Sequence, residues 1–436
     1  MFKIAKMIKK NLNNKIVNLI ISKLVLISLF FITSIYFYMN VQEDINLSPY
    51  AFNELFINYQ AGFIRRGLLG EIFWNLNIFF GIKPIVFFSY LFLFLYLIQI
   101  YFFYKIFEKY RQSIFIYLLI FLSPALILFS IYDINMYFIK DIFIKLTILF
   151  HGLVIINHIE NKEDYSDYIN KLKFIIIPIL FLSILIHEYQ VLFLSIHILL
   201  SLSFMNNKKK ALQILLIYLL LIIPVLLVLF FIGDQNQLDI LNNLLQKFNV
   251  ELHSQLGGGF YKALGGFYKW HFYYFGYKDF IQLLASLFFG VGIFYLVFHF
   301  CIKEKILKFH NQYQKNYIYF FTPILLCFIL ATDHGRNISL LAVHLVVFYS
   351  ILIIDYKKLT SLKNRINENF LASSTLIIFL VFYIFMWKLD QMAGFGGSAQ
   401  TNTIFQSSIF AELIKLIKFS YSYIDLNILD LPEIRL

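Results

Sequence analysis

The amino-acid sequence predicts an all-α bundle of transmembrane helices, and two observations carry that prediction. Hydrophobic residues make up 60% of the 436 residues and charged residues only 14%, which leaves too little polar surface for a water-soluble fold. The apolar residues also recur in runs of about 18 or more, the length that a helix needs to cross a ~30 Å hydrocarbon core. We therefore expect the protein to lie among membrane lipids.

The first predicted span follows a lysine-rich N-terminus. No acidic residue precedes Glu43, while six lysines lie within residues 1–23. The apolar stretch at 19–39 leads into Asn40 without the small-residue cleavage pattern of a signal peptide. We expect it to be a retained span, about 31 Å long, with the N-terminus on the cytoplasmic side.

Ten further spans are predicted, and the distribution of lysines decides whether one apolar run is counted as one span or two. They lie near 84–104, 114–131, 141–157, 174–186, 190–204, 211–232, 280–302, 317–332, 337–354 and 370–387. The apolar run 174–204 is readable as one long helix or as two short helices hinged at residues 187–190. Only the hinged reading places the lysine-rich loops together with the N-terminus, with about 23 of the 37 lysines and arginines on that side. This predicts eleven spans, an outer C-terminus and a hairpin that dips into the membrane, shielded by protein.

The predicted domain organisation is one large unit and a short tail. Residues 1–387 form the transmembrane domain, with outer loops at about 40–83 and 233–279. The second loop opens with an amphipathic stretch that contains Leu241, Leu244, Leu245, Phe248 and Leu252. Its glycine- and aromatic-rich remainder is typical of an interfacial aromatic belt, with stacking on sugar rings as the alternative. The tail, 388–436, contains an amphipathic segment at 404–420 that predicts a helix on the outer surface.

Two adjacent arginines, Arg65 and Arg66, stand between glycines in the first outer loop. Arginine is scarce in this chain, six against 31 lysines, and the orientation rule disfavours it on the outer side. A guanidinium can hold a phosphate or carboxylate through two hydrogen bonds, and flanking glycines let a backbone approach a bulky anion closely. The pattern indicates an anion site. The alternative is a pair of interfacial arginines that meet lipid headgroups or the acids Glu54 and Glu71.

A second polar motif, Asp333-His334-Gly335-Arg336, is predicted to form a four-residue outer turn between two spans. Three ionisable residues in so short a connection are costly at membrane depth unless they are paired. The motif therefore indicates either a functional site or a local pair of Asp333 with Arg336 that closes the turn.

The hinge of the hairpin carries His187 and Glu188. An apolar setting raises the pKa of a carboxyl group, and a neighbouring histidine can share its proton. These residues are therefore candidates for a general base. The alternative is a satisfied polar pair that lets the chain turn.

A fourth outer cluster contains Asp133, Lys140 and Asp141, and either a binding role or an ion pair that pins the turn would account for it. The remaining histidines lack the spacing of metal ligands, and no phosphate-binding glycine loop is present. We therefore expect no metal and no cofactor. The net charge of +12 lies mostly on lysines of short loops, so it fixes membrane orientation and does not indicate nucleic-acid binding.

The long first outer loop, the re-entrant hairpin and the eleven spans resemble the GT-C class of membrane glycosyltransferases. That class includes O-antigen polymerases and ligases, which take sugars from polyprenyl-phosphate or -pyrophosphate carriers outside the cytoplasmic membrane. The phrase GFIRRGLLG, the His-Glu pair and the D-x-G-R turn are similar to those of bacterial membrane proteins of polysaccharide gene clusters. The first outer loop has no Asp-x-Asp or Glu-x-Asp, so the resemblance favours a metal-free, arginine-based mechanism of the polymerase kind.

The resemblance implies a glycan polymerase or glycosyltransferase of the bacterial cytoplasmic (inner) membrane, acting on a polyprenyl-phosphate-linked glycan. It also allows partners in a polysaccharide assembly complex. Arg65, Arg66 and Arg336 are expected to hold the carrier's pyrophosphate, and Asp133 and Lys140 complete the expected substrate-binding set. The catalytic residues move the acceptor proton or orient the groups around it, and the expected set is His187, Glu188, Asp333 and His334.

Two other function classes stay open. A transporter or flippase for an anionic lipid-linked glycan would bind its cargo with the same arginines, but the polar motifs lie on one predicted side and no inverted repeat is visible. A non-catalytic subunit of the cell envelope would need no site at all.

Overall fold

The computed structural model describes residues 2–42, 52–108, 114–129, 137–203, 208–250, 283–298 and 334–352, and the single residues 252, 323, 383 and 389. All regular structure in these ranges is helical. The longer helices follow one another in this order: α1 Phe2–Gln42, α2 Leu68–Phe80, α3 Pro84–Phe107, α4 Ile114–Phe121, α5 Asp141–Asn161, α6 Tyr165–Ile186, α7 Gln190–Leu202, α8 Lys209–Phe230, α9 Gln235–Leu245, α10 Leu283–Phe298 and α11 His334–Leu352.

Five of the described helices are long and apolar enough to cross a membrane. They are the Ile16–Ile35 part of α1, together with α3, α5, α6 and α8. The membrane class predicted from composition is thereby supported, while the predicted spans 317–332 and 370–387 and the tail 388–436 lie almost wholly outside the described residues.

Several predicted boundaries are wrong, each for a local reason. The lysine-rich N-terminus continues the helix of the first span, so α1 has 41 residues. The predicted span at 114–131 ends as a helix at Phe121. Pro124 follows shortly, and because a proline lacks the amide proton of a helix interior, the chain turns there instead. The predicted turn at 333–336 is also wrong, because α11 already begins at His334.

The chain breaks at residues 187–189, as the hinged interpretation of 174–204 predicts. The hydroxyl of Ser183 donates to the side chain of Gln190 (3.0 Å) next to the break, and that of Tyr168 donates to Ser201 (2.8 Å) far from it. Such nested contacts are those of an antiparallel pair. The two arms are unequal, however, because α6 begins at Tyr165 and is long enough to cross by itself, whereas α7 has only 13 residues.

Helix α5 lies at the centre of the bundle and packs against α3, α6, α7 and α11. Gly152 lets α11 approach closely, since a Cβ at this position would lie 2.6 Å from a methyl carbon of Val347. Small residues at helix contacts are the usual means of close packing in membranes. Because α5 is central, polar side chains at its ends, such as Asp141 and His158, lie against several other helices.

The segments predicted as the first outer loop and the start of the second pack together in a hydrophobic cluster of their own. This cluster joins residues 55–74 to α3, to Tyr137 and Phe138, and to the apolar face of α9. Helix α9 confirms the predicted amphipathic stretch and begins with a capping box made by Asp234 and Gln237. The side-chain amide of Gln237 also donates to the carbonyl of Ala61 (3.1 Å). The two loops thus form one body at the Asp141 end of the bundle.

Candidate functional site

Arg66 holds two carboxylates from different parts of the chain. Its Nε lies 2.7 and 2.9 Å from the two carboxylate oxygens of Glu188, and its Nη2 also contacts Glu188. Its Nη1 lies 2.8 Å from Glu54. The backbone of Arg66 is left-handed, with a φ of 67°, a conformation that side chains other than glycine adopt at a cost of about 1–3 kcal/mol. The loop is held in this form by these ion pairs and by Lys140.

Lys140 holds the backbone of the arginine loop through two hydrogen bonds. It is buried, and its Nζ donates to the carbonyl oxygens of Glu54 (2.9 Å) and Arg66 (3.0 Å). Burial lowers the pKa of Lys140 to about 8, although Glu54 partly opposes the shift. The predicted substrate-binding lysine is therefore used to fix the loop.

Arg65 makes a weaker contact with protein carboxylates than its neighbour does. Its Nη1 lies 3.7 Å from Glu188, and its backbone N–H donates to the carbonyl of Phe231 at the end of α8 (2.9 Å). The side chain is 21% exposed, more than that of any other ion-pairing group near it. Burial lowers the pKa of Arg65, with Glu188 acting in the opposite direction, and the guanidinium stays charged at neutral pH.

Arg336 makes a second fork on Asp141, the first residue of α5. Its Nε and Nη2 lie 2.5 and 2.8 Å from the two carboxylate oxygens. The Nε2 atom of His187 lies 3.1 Å from Asp141 and 2.5 Å from Arg336. The ring of Tyr189 stacks over the guanidinium at 5.0 Å. Arg336 thus contacts a residue 195 positions away, while the alternative of a local pair with Asp333 involves a residue outside the described part of the chain.

The hinge residues His187 and Glu188 connect the ion pair of Arg66 with the ion pair of Arg336. His187 Nδ1 lies 3.6 Å from the carboxylate of Glu188, so the Arg66 pair and the Arg336 pair share one connected group of charges. We call this group the ion cluster. Its members are Glu54, Arg65, Arg66, Lys140, Asp141, His187, Glu188 and Arg336.

The ion cluster has more positive than negative groups. Among the described residues, four basic side chains of the cluster face three carboxylates, apart from His187. Burial by itself raises the pKa of Glu188, but Arg66 and then the contacts with His187 and Arg65 bring it well below the ordinary value. Glu188 is therefore ionised at neutral pH. Arg65 has the most accessible side chain of the cluster's ion pairs, 21% exposed, whereas that of His187 is only 2% exposed.

Six of the predicted site residues thus come together: Arg65, Arg66, Lys140, His187, Glu188 and Arg336. His334 is buried at the start of α11, two residues before Arg336. Asp133 and Asp333 lie outside the described residues. Asp141 and Glu54 belong to the cluster but were not among the predicted site residues. The sequence did contain a signal for Asp141, an aspartate beside a lysine where a span begins, but it was equally consistent with a local pair.

Glycines on the C-terminal side of the arginines pack against protein, and the predicted close approach of an anion to the flanking glycines stays a prediction. A Cβ at Gly67 would lie 2.4 Å from the ring of Tyr59, and one at Gly70 would lie 2.1 Å from the carbonyl oxygen of Ile57. The glycines let the loop fold tightly on itself. Of the two arginines, Arg65 has the more accessible side chain.

Apolar rings lie beside Arg65. Tyr59 and Phe63 stack at 4.9 Å, and Phe63 meets Phe231 edge to face at 5.3 Å. Phe231 follows α8, which is long and apolar enough to cross a membrane, and is 47% exposed. A charged group and an apolar surface thus meet at the end of a span.

Comparison of the chain with protein-family models, with curated proteins and with solved structures finds no match. The geometry of the ion cluster therefore carries the functional argument. Among the described residues no group of three histidine, cysteine or acidic side chains is arranged to hold a metal ion.

Proposed function

We propose that this protein is a glycan polymerase or glycosyltransferase of the bacterial inner membrane. It takes a sugar from a polyprenyl-phosphate or -pyrophosphate carrier at the outer face. The ion cluster binds the phosphate end of the carrier. The observation that carries the proposal is the long contact of the partly exposed Arg65 guanidinium with the ionised carboxylate of Glu188, 3.7 Å from Nη1 to the carboxylate oxygen.

Arg65 is the phosphate-binding group in this proposal, while Arg66 and Arg336 position it. The guanidinium groups of Arg66 and Arg336 are each bonded to both oxygens of a carboxylate. An incoming phosphate therefore contacts Arg65 first. The net positive charge of the ion cluster favours an anion. A hydrogen bond to a charged group contributes about 1.5–3 kcal/mol, and more as the leaving phosphate gains charge in the transition state.

Glu188 takes the proton of the acceptor hydroxyl. As the acceptor oxygen bonds to the anomeric carbon, the bond from that carbon to the phosphate oxygen breaks and the electron pair leaves with the phosphate. The hydroxyl proton passes to Glu188. Because Arg65 contributes to the low pKa of Glu188, a phosphate that neutralises Arg65 makes Glu188 a stronger base. His187 is buried between Asp141 and Glu188 and acts as a positioning residue.

The apolar rings beside Arg65 suit the lipid part of such a substrate. Phe63 contacts Phe231, which follows α8 and accepts a backbone hydrogen bond from Arg65. A polyprenyl chain lying along them leaves its phosphate at Arg65. A water-soluble sugar phosphate has no lipid chain that could contact these apolar rings.

The test is a turnover assay with the purified protein in nanodiscs and a synthetic polyprenyl-pyrophosphate oligosaccharide, read by mass spectrometry. The wild type extends or transfers the glycan, and Arg65→Ala lowers the rate on the order of 10²–10³-fold, the loss typical of an oxyanion donor. Lys83→Ala, which removes an exposed positive charge next to α3, leaves the rate unchanged. Wild-type protein that converts no lipid-linked sugar overturns the proposal.

One observation favours the transporter class as a second candidate. Buried, hydrogen-bonded polar side chains lie inside the hairpin next to the hinge, and polar residues within a membrane often mark transport pathways; they are Gln190, His197, His151, Tyr168 and Ser201. Liposomes that contain the protein distinguish the two classes. A transporter moves the lipid-linked glycan across the bilayer without changing its mass.

A further inference from the structure

Tyr189 is an aromatic residue of the hinge to which the proposed transfer reaction gives no role. It follows Glu188 directly in the chain and is half-buried, so part of its side chain is accessible beside the ion cluster. It was not among the predicted site residues. A tyrosine side chain combines a large apolar ring with a polar hydroxyl, which suits a ligand that has both kinds of surface.

Two members of the ion cluster support the ring of Tyr189. The guanidinium carbon of Arg336 lies 5.0 Å from the ring centre, and the ring centre of His187 lies 5.0 Å away, with the two ring planes at 42°. A cation over an aromatic ring attracts it, and more strongly where water is partly excluded. Asp141 in turn holds both Arg336 and His187. The accessible tyrosine thus rests on buried, hydrogen-bonded groups.

The backbone of the hinge is fixed as well. The N–H of Tyr189 donates to Nδ1 of His187 (3.3 Å), and its carbonyl accepts from the N–H of Leu192 near the start of α7 (3.0 Å). The next residue, Gln190, is buried, and its side-chain oxygen accepts from the hydroxyl of Ser183 (3.0 Å). A side chain held from both directions is pre-organised, so that binding a ligand costs little ordering.

The ring lies beside both groups that the proposed mechanism uses. Glu188, the proposed base, is its neighbour in the chain, and the carboxylate of Glu188 lies 3.7 Å from Nη1 of Arg65. Burial lowers the pKa of Arg65, and Tyr189 is one of the nearby groups that act in the opposite direction, after Glu188 and Glu54. A group that is bonded to a phosphate at Arg65 and reaches Glu188 therefore comes next to Tyr189.

In the proposed reaction that group is a sugar. Its anomeric carbon is bonded to a phosphate oxygen, so the sugar ring begins one bond away from the anion that Arg65 binds. One face of a pyranose such as galactose carries mainly C–H groups, while its hydroxyls point outward from the ring edge. An aromatic ring that covers the C–H face removes apolar surface from water and gains dispersion contacts.

We propose that Tyr189 binds the sugar ring of the lipid-linked substrate. This inference rests on the proposed function, because it takes the phosphate of the carrier to lie at Arg65. The ion cluster then recognises the phosphate, and Tyr189 recognises the pyranose that is joined to it. No bond forms or breaks at Tyr189, so its contribution is affinity for the sugar. A carrier without a sugar lacks this contact and binds more weakly.

The experiment compares ligands that differ only in the sugar. Isothermal titration calorimetry measures their binding to the purified full chain in detergent micelles. The ligands are short polyprenyl phosphonates that carry glucose, galactose or N-acetylglucosamine through a carbon link that cannot be transferred. The reference ligand carries a methyl group in place of the sugar and has the same charge. We expect at least one sugar-bearing ligand to bind the wild type about 10-fold more tightly than the reference.

Three variants assign that difference to Tyr189. In Tyr189→Leu the affinity for the sugar-bearing ligand falls to that for the reference, whose own affinity is unchanged. Tyr189→Phe keeps the ring and stays within about twofold of the wild type for every ligand. Tyr90→Leu is the matched control, because it removes a tyrosine of α3 that is 59% exposed and lies outside the ion cluster. It changes neither affinity, and thermal unfolding establishes that each variant is folded.

Three outcomes overturn the proposal. The first is a wild type that binds all ligands equally well. The second is an equal loss of affinity for the sugar-bearing ligand and the reference in Tyr189→Leu, which would show that the ring only supports Arg336. The third is a wild type that binds no ligand, which also overturns phosphate binding by the ion cluster. Transfer is not measured, so sugar-dependent binding by a protein without turnover would overturn the transferase and leave the sugar site.

Discussion

Arg66 and Glu188 lie 122 positions apart in the sequence, and Nε of the arginine lies 2.7 and 2.9 Å from the two carboxylate oxygens. This pair ties the first outer loop to the hinge of the hairpin. Glu54 shares the same guanidinium, so one arginine balances two carboxylates of which each is mostly buried. Several consequences for stability can be measured.

Removing Arg66 alone leaves Glu188 and Glu54 buried without their main cation. Breaking one partner of a buried pair typically costs about 3–5 kcal/mol, whereas replacing both partners by apolar residues costs much less. We expect Arg66→Met to lower the free energy of unfolding in mixed micelles strongly, and Arg66→Met/Glu188→Met to recover part of the loss. If the losses in the free energy of unfolding of Arg66→Met and Glu188→Met simply add in the double variant, the two residues do not stabilise each other as a pair.

The ion pair of Arg336 with Asp141 allows the effect of hydrogen-bond geometry on stability to be measured separately from the effect of charge. A lysine keeps the charge of Arg336 but lacks the two parallel N–H groups that meet both carboxylate oxygens. We expect Arg336→Lys to lower the free energy of unfolding by about 1.5–3 kcal/mol. The same substitution in Asp141→Asn should have a smaller effect, because the bidentate acceptor is already gone. Equal effects in the two backgrounds would show that the fork contributes nothing.

The sequence predicts the membrane class and the convergence of the polar motifs, because hydropathy and lysine position are properties of single segments. The partner of each arginine is decided by contacts between segments far apart in the chain. Arg336 has a nearby aspartate in the sequence but bonds to Asp141, and Lys140 stands beside Asp141 but donates to backbone carbonyls. Helix ends also depend on tertiary contacts, which is why α11 begins before its predicted start.

Gly70 tests whether the fold of the first outer loop depends on close packing. A Cβ there would lie 2.1 Å from the carbonyl oxygen of Ile57, so Gly70→Ala must displace the backbone below the arginines. We expect a loss of about 1–3 kcal/mol in the free energy of unfolding, the usual range for overpacking. Gly81→Asn is the control, because this position has open space around it and a left-handed φ of 64° that asparagine tolerates. Equal stability of Gly70→Ala and wild type would rule out a tightly packed loop.

Lys140 gives the ion cluster a pH dependence with a defined sign. Burial lowers the pKa of Lys140 to about 8, whereas the unfolded chain keeps the ordinary value of 10.5. Between these values the unfolded state binds more protons than the folded state, so the free energy of unfolding rises with pH through this window. The contribution of this one group is on the order of 3 kcal/mol at most.

The measurement compares wild type with Lys140→Met at pH 7.5 and pH 10 in mixed micelles. Other lysines and tyrosines titrate in both proteins, so the difference between the two pH responses isolates Lys140. We expect the wild type to gain more stability than the variant on going to the higher pH, since neutral Lys140 still donates to the carbonyls of Glu54 and Arg66. Parallel responses would mean that Lys140 keeps its ordinary pKa and is reached by water in the folded protein.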